Sequence, residues 1–172
     1  MKRVVVTGLG LVTALGNDVP TCWANLIAGK SGAGAITHFD SSKFKTQFAC
    51  EVKDLDVSNL FDPKELRRYD RYIHLAVKST EEAINNAGLH IQQEDPLRCG
   101  VIYGSGMGGV KTLDTNIGEF GAGDGTPRYS PFFIPMIITN MAAGMLAIRY
   151  GFKGVNYATT SACSSSSHAI AN

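Results

Sequence analysis

The sequence predicts an α/β fold with a largely parallel sheet. Three observations point there. Short β-branched runs lie at Lys2–Thr7, Gly100–Tyr103 and Val155–Thr160. Stretches with helical periodicity fall between them, and glycines punctuate the ends of both kinds of segment. With 172 residues, 44% of them hydrophobic and 18% charged, the chain is long enough to bury one sizeable core.

The first run, Lys2–Thr7, reads as a buried strand stopped by Gly8-Leu9-Gly10. Asn17-Asp18 offers a helix cap, and Trp23, Leu26 and Ile27 then share one helical face before Gly29. Lys30–Ser42 is rich in glycine and serine and reads as loop; Phe48–Val52 reads as a strand. Asp62-Pro63-Lys64-Glu65 carries a cap, a proline at the first helical position and the partner of a capping box. Leu66, Ile73, Val77, Thr80, Ile84 and Ala87 extend that helix to Gly88. The strand at Gly100–Tyr103 turns into Gly104-Ser105-Gly106-Met107-Gly108-Gly109, and Gly121–Gly125 reads as a flexible loop. Pro135 opens a helix that closes at Gly151, and Val155–Thr160 is the last strand. The serines and alanines beyond Cys163 begin a final helix. It stops after a few residues at Asn172, so the sequence reads as incomplete at its C-terminus.

Charge is nearly balanced, with 16 basic and 15 acidic residues. The balance points to neither nucleic acid nor a membrane surface, so any charged partner must be met by a local patch. No signal-peptide pattern and no apolar stretch of membrane-spanning length is present, which reads as a cytoplasmic protein. The four cysteines, Cys22, Cys50, Cys99 and Cys163, are widely spaced, without metal-ligand spacing. Cys22, Cys50 and Cys99 read as small buried hydrophobes, and no metal site is expected.

Cys163 differs. It lies in Thr160-Ser161-Ala162-Cys163-Ser164-Ser165-Ser166-Ser167-His168-Ala169, where a strand hands over to a helix. A cysteine at a helix N-terminus meets unpaired backbone N–H groups and the positive end of the helix dipole, which favours the nucleophilic thiolate. Small neighbours leave room for a substrate carbonyl, and the Cys163 N–H is placed to donate to an oxyanion. Local chemistry leaves a second reading equally open, a buried structural cysteine before a serine-rich turn. His168 lies five positions on, too far around the helix to face Cys163, and reads as a packing or hydrogen-bonding residue. Gly104, Gly106 and Gly109 match a dinucleotide-binding pattern, but no acidic residue ends a following strand. Gly8 and Gly10 lack the third glycine. Both sets read as allowing tight turns and close backbone approach, and no cofactor is expected.

Taken together, Ala162-Cys163-Ser164-Ser165-Ser166, Lys2–Gly10, Gly104–Gly109 and Ser130-Pro131-Phe132-Phe133-Ile134-Pro135 with Asn140-Met141 resemble the β-ketoacyl synthases, in the same order along the chain. The likeness spans essentially all 172 residues and is nearest to the discrete synthase II type of fatty-acid synthesis. The resemblance implies a thiolase-like fold of two similar halves, of which residues 1–172 supply most of the first, and a homodimer. It implies that Cys163 takes an acyl group from acyl carrier protein. Two histidines and a lysine, later in the family's chains, then assist decarboxylation of the malonyl-loaded carrier, whose carbanion attacks the acyl thioester. Residues 1–172 alone are therefore not expected to catalyse condensation. It further implies that Met107 and Ala162 line the acyl pocket and that Phe133 and Ile134 reach the partner subunit's pocket. All three apolar positions, Met107, Phe133 and Ile134, are equally ordinary as core. Lys64, Arg67 and Arg68, at i, i+3 and i+4 on a helix, form a basic face that the resemblance assigns to docking the acidic carrier protein. A solvated face paired with Glu65 and Asp70 is the plainer account. The alternatives are a polyketide-type ketosynthase subunit or a non-catalytic partner of the chain-length-factor kind, whose relatives replace the cysteine.

Overall fold

The structure, a computed structural model, describes residues 3–172. Its contacts divide the chain into two units. The first holds the described residues up to Val57 together with Lys78–Leu89; the second holds Ser58–Val77 and His90–Asn172.

In the first unit, Arg3–Thr7 is not a strand: Val4, Val5 and Val6 are 92%, 64% and 80% exposed, and no strand among the described residues pairs with them. Lys2, the start of the predicted strand, lies outside the described residues. A strand needs a hydrogen-bonding neighbour, and the N–H groups just beyond this run go to side chains instead. Leu9 donates to Asn86 Oδ1 (3.0 Å) and Leu11 to Glu82 Oε2 (2.9 Å). Gly10 lies against the Ser79 carbonyl, where no Cβ fits. Helix α1, Val19–Ile27, forms as predicted, with Asp18 accepting from the Thr21 N–H at 2.7 Å. Its face of Trp23, Leu26 and Ile27 is exposed. β1, Gly34–Ala35, arises within the predicted loop and pairs antiparallel with β2, Phe48–Ala49. Cys22 is buried, as expected, while Cys50, just beyond β2, is exposed.

The long helix predicted from Asp62 is broken in two. α2, Pro63–Leu66, begins with the full capping box: Asp62 accepts from the N–H groups of Lys64 (2.7 Å) and Glu65 (2.8 Å), and Glu65 accepts from Asp62 N–H. α3, Arg71–Ala87, restarts after Asp70 and gives its first part to the second unit and its last part to the first. Asp70 is the cause. Its Oδ1 accepts from the Tyr72 N–H (3.3 Å) in the manner of a new cap, and its Oδ2 accepts from the N–H (2.9 Å) and hydroxyl (2.6 Å) of Thr112. The pull of that buried acceptor outweighs the helical propensity of Arg67-Arg68-Tyr69.

The second unit centres on β3, Val101–Gly104, and β4, Asn156–Thr159, which pair in parallel from Val101↔Asn156 to Gly104↔Thr159. Between them come α4, Val110–Ala122, whose last residues fall in the predicted loop Gly121–Gly125, and then α5, Phe133–Ile137, and α6, Met141–Tyr150. The latter two replace one predicted helix. Pro135 lies inside α5 rather than opening it, and Ile138 is extended (φ −72°, ψ 138°). Gly151 closes α6 in the left-handed conformation (φ 71°). After β4, a 3₁₀ turn at Ala162–Ser164 leads into α7, Ser165–Ala171. α6 and α7 pack on both strands, and the Asn156 amide donates to the Ala143 carbonyl at 2.9 Å. The core of this unit is Leu60, Phe61, Ile73, Ala76, Val77, Ala142, Ala143, Met145 and Leu146. Each large aliphatic side chain there contributes about 2 kcal/mol by leaving water. Cys99 is half-buried rather than part of it.

Candidate active site

Parallel pairing places the carboxyl ends of β3 and β4 side by side, because Gly104 and Thr159 are register partners. The glycine loop and the Cys163 turn therefore leave the sheet at the same edge, where sites in open α/β sheets are found. Close approach is then a matter of backbone. A Cβ at Gly104 would stand 2.6 Å from the carbonyl carbon and oxygen of Ser165 and from Ser166 Cα. Gly106 faces the Ala162 carbonyl, with a virtual Cβ 3.5 Å from its oxygen. Gly109 donates its N–H to the Ile137 carbonyl at 3.1 Å, tying the loop to the end of α5.

The turn itself is strained and densely bonded. Ala162 sits at φ 49°, the left-handed region that costs a residue bearing a Cβ roughly 1 kcal/mol or more. Ser161 donates its N–H to Ser165 Oγ (2.9 Å), and Ser165 Oγ donates to the Ala162 carbonyl (2.7 Å). The Ser165 carbonyl accepts from Thr159 Oγ1 (2.8 Å), and Ser164 N–H donates to the Ser161 carbonyl (3.0 Å). The Cys163 thiol is exposed at the top of this turn, not buried in a core. A nucleophile requires an accessible thiol. His168 Nδ1 lies 2.7 Å from Ser161 Oγ, so the histidine is a hydrogen-bonding residue of the turn, with its partner now identified.

The structure brings Ala162, Cys163 and the glycine loop together. Met107, in that loop, is 73% exposed, and Ile134 on α5 is 56% exposed. Phe133 stacks on Tyr129 with ring centroids 5.0 Å apart. Lys64, Arg67 and Arg68 are all exposed, but only Lys64 lies within a helix: α2 ends at Leu66, with Arg67 as its C-cap. The expected helical face is therefore a helix end followed by a turn. Glu65 serves the capping box and Asp70 serves Thr112, while the three cations stand in solvent, as the plainer account has them. Arg68 stacks over Phe132, 5.0 Å from the ring centroid, beside the α5 segment.

Two features escaped sequence reading. One is the buried pair Asp70–Thr112, which no spacing in the sequence connects. The other is the hydrogen bonding of Ser165, which the sequence placed in the Cys163 segment and at a helix start but gave no partner. Near Asp70, the Tyr72 hydroxyl donates to the Ile138 carbonyl at 2.5 Å. Burial, then the Asp70 charge, raises this phenol's pKa well above its usual range. Burial lowers the His74 pKa, with Arg71 acting in the same direction and Asp70 against. The His74 Nε2 is enclosed without a hydrogen-bond partner, and its ring packs edge-on against Phe61 at 5.0 Å. Among the described residues no cluster of metal-ligating side chains occurs, and no helix is long and apolar enough to cross a membrane.

Residues 1–172 match the family model described as beta-ketoacyl synthase, N-terminal domain. Over 169 residues the chain is 45% identical to a 3-oxoacyl-(acyl-carrier-protein) synthase 2 from Synechocystis sp., covering 98% of this chain and 40% of that one. It is 43% identical to the protein of the same name from Coxiella burnetii, covering 98% and 41%. Among solved structures, a beta-ketoacyl synthase from Burkholderia phymatum superposes with a TM-score of 0.80 at 27% identity, covering 99% of this chain and 42% of that one. The chain thus spans about two-fifths of the length of the curated relatives it matches.

Proposed function

The chain belongs to the β-ketoacyl synthase family and has its thiolase-like α/β fold, and from that premise we propose that Cys163 is the acyl-accepting nucleophile of a type II fatty-acid condensing enzyme. The observation that carries the proposal is the exposed thiol on a strained strand-to-helix turn, backed by the glycine loop. The Cys163 thiolate attacks the thioester carbonyl of an acyl group on acyl carrier protein. The Cys163 N–H steadies the oxyanion, the carrier's C–S bond breaks, and the carrier leaves as a thiol after taking up a proton. The malonyl group on a second carrier then loses CO₂, and its carbanion attacks the acyl-Cys163 carbonyl, releasing the thiolate and a product two carbons longer. Residues outside this chain supply the groups for decarboxylation.

Met107 and Ala162 line the acyl pocket in this reading, and Phe133 and Ile134 contribute to the pocket across a homodimer. Lys64, Arg67 and Arg68 receive the acidic carrier, and the enzyme works in the cytoplasm without a cofactor. The stacking of Arg68 on Phe132 supports continuity between the docking residues and the α5 segment. Identity to synthases of type 2 favours fatty-acid over polyketide substrates. Intact-mass measurement of the full chain after incubation with acyl-loaded carrier protein tests the assignment. An acyl adduct is expected on the unaltered protein and absent from Cys163→Ala; an adduct that survives this substitution removes Cys163 from the role.

A further inference from the structure

The turn that presents Cys163 contains one backbone in an unfavourable conformation, at Ala162, and one buried hydroxyl gripping it from two sides. Ser165 is 3% exposed. Its Oγ takes the Ser161 N–H and gives its proton to the Ala162 carbonyl, and its own N–H also donates to the Ala162 carbonyl. Its carbonyl is held in turn by Thr159 Oγ1 at the end of β4. The peptide group leaving Ala162 is the one that carries the Cys163 N–H. A trans peptide points its N–H opposite to its C=O, so fixing the Ala162 carbonyl toward Ser165 aims the Cys163 N–H away from it.

We propose that Ser165 is a positioning residue, which sets the Cys163 N–H as the oxyanion donor by holding the Ala162 carbonyl. The inference rests on the reading of Cys163 as acyl acceptor and adds the residue that orients its donor. Ser165 touches neither substrate nor thiol in this role. Its hydroxyl also helps hold the turn, so the positioning role is read from a reaction that develops negative charge on a carbonyl oxygen, compared with one that does not.

The test compares two reactions of Cys163 in the full chain. Acyl transfer from acyl carrier protein passes through an oxyanion, whereas alkylation by iodoacetamide does not. Ser165→Ala is expected to lower kcat for acyl transfer on the order of 10- to 100-fold. The KM for the carrier and the alkylation rate should stay within about twofold of the unaltered protein. Ser165→Thr keeps the hydroxyl and is expected to restore most of the transfer rate. If Ser165→Ala does not fold, Ser165→Cys retains the volume with a weaker donor and is expected to show the same split. Equal losses in transfer and alkylation, or a transfer rate unchanged in Ser165→Ala, would overturn the positioning role alone. An unaltered protein that alkylates normally at Cys163 but never accepts an acyl group would instead overturn the acyl-acceptor reading beneath it.

Discussion

Arg67 and Arg68 are neighbours with the same charge, yet they sit differently, and the difference is measurable. Arg68 lies over Phe132, whereas Arg67 caps the end of α2. Charge reversal at either is expected to raise the KM for acyl carrier protein severalfold with little change in kcat, since a docking charge acts on encounter. Only Arg68→Glu should also lower thermal stability, by about 0.5–1 kcal/mol, through loss of the cation–π contact. A KM unchanged in steady-state assays of both variants would remove these residues from carrier docking. The sequence displayed all three charges, but it could not show that Asp70 ends the helix beneath them. That information resides in Thr112, more than 40 positions away, and no local pattern carries it.

The elements at the site meet through backbone, and this makes them intolerant of added bulk. Gly104 ends β3 directly against the first turn of α7. Gly104→Ala would place a methyl 2.6 Å from the Ser165 carbonyl group, and neither strand nor helix has a flexible side chain there to give way. The expected cost is about 1–3 kcal/mol in denaturant unfolding, together with a loss of Cys163 acylation from displacement of the turn. An alanine variant as stable and active as the parent would show that β3 and α7 can separate freely. At this scale the sequence was informative: the strands β3 and β4, the close of α6 at Gly151 and the capping box of α2 were legible from residue types alone. α4 was not. Its Val110, Leu113, Ile117 and Phe120 recur at helical spacing, but Gly118 and Gly121 interrupt the pattern, and its position is fixed by long-range bonds such as Thr112 to Asp70.

For the molecule as a whole, stability should depend on pH through His74. Burial lowers the folded-state pKa of this histidine, while the unfolded chain takes up the same proton near 6.5. Stability is therefore complete above that pH. It falls as the pH drops from about 6.5 toward the lower folded-state value, because the unfolded state binds the proton first. Thermal melts at successive pH values between neutrality and mild acid should show this decline, and His74→Asn should flatten it. A slope unchanged by the substitution would place its source elsewhere. The sequence offered His74 only as one histidine among four; its enclosure against Phe61 depends on how α3 packs.

The parallel pairing of Val101 with Asn156 also has a consequence in time. As the chain leaves the ribosome, β3 emerges without a partner strand, and α4, α5 and α6 follow before β4 does. Helices close locally and quickly, whereas strands so far apart in the chain find each other slowly. During synthesis Cys163 is thus first an ordinary flexible cysteine. Its turn takes shape only after β4 has docked beside β3.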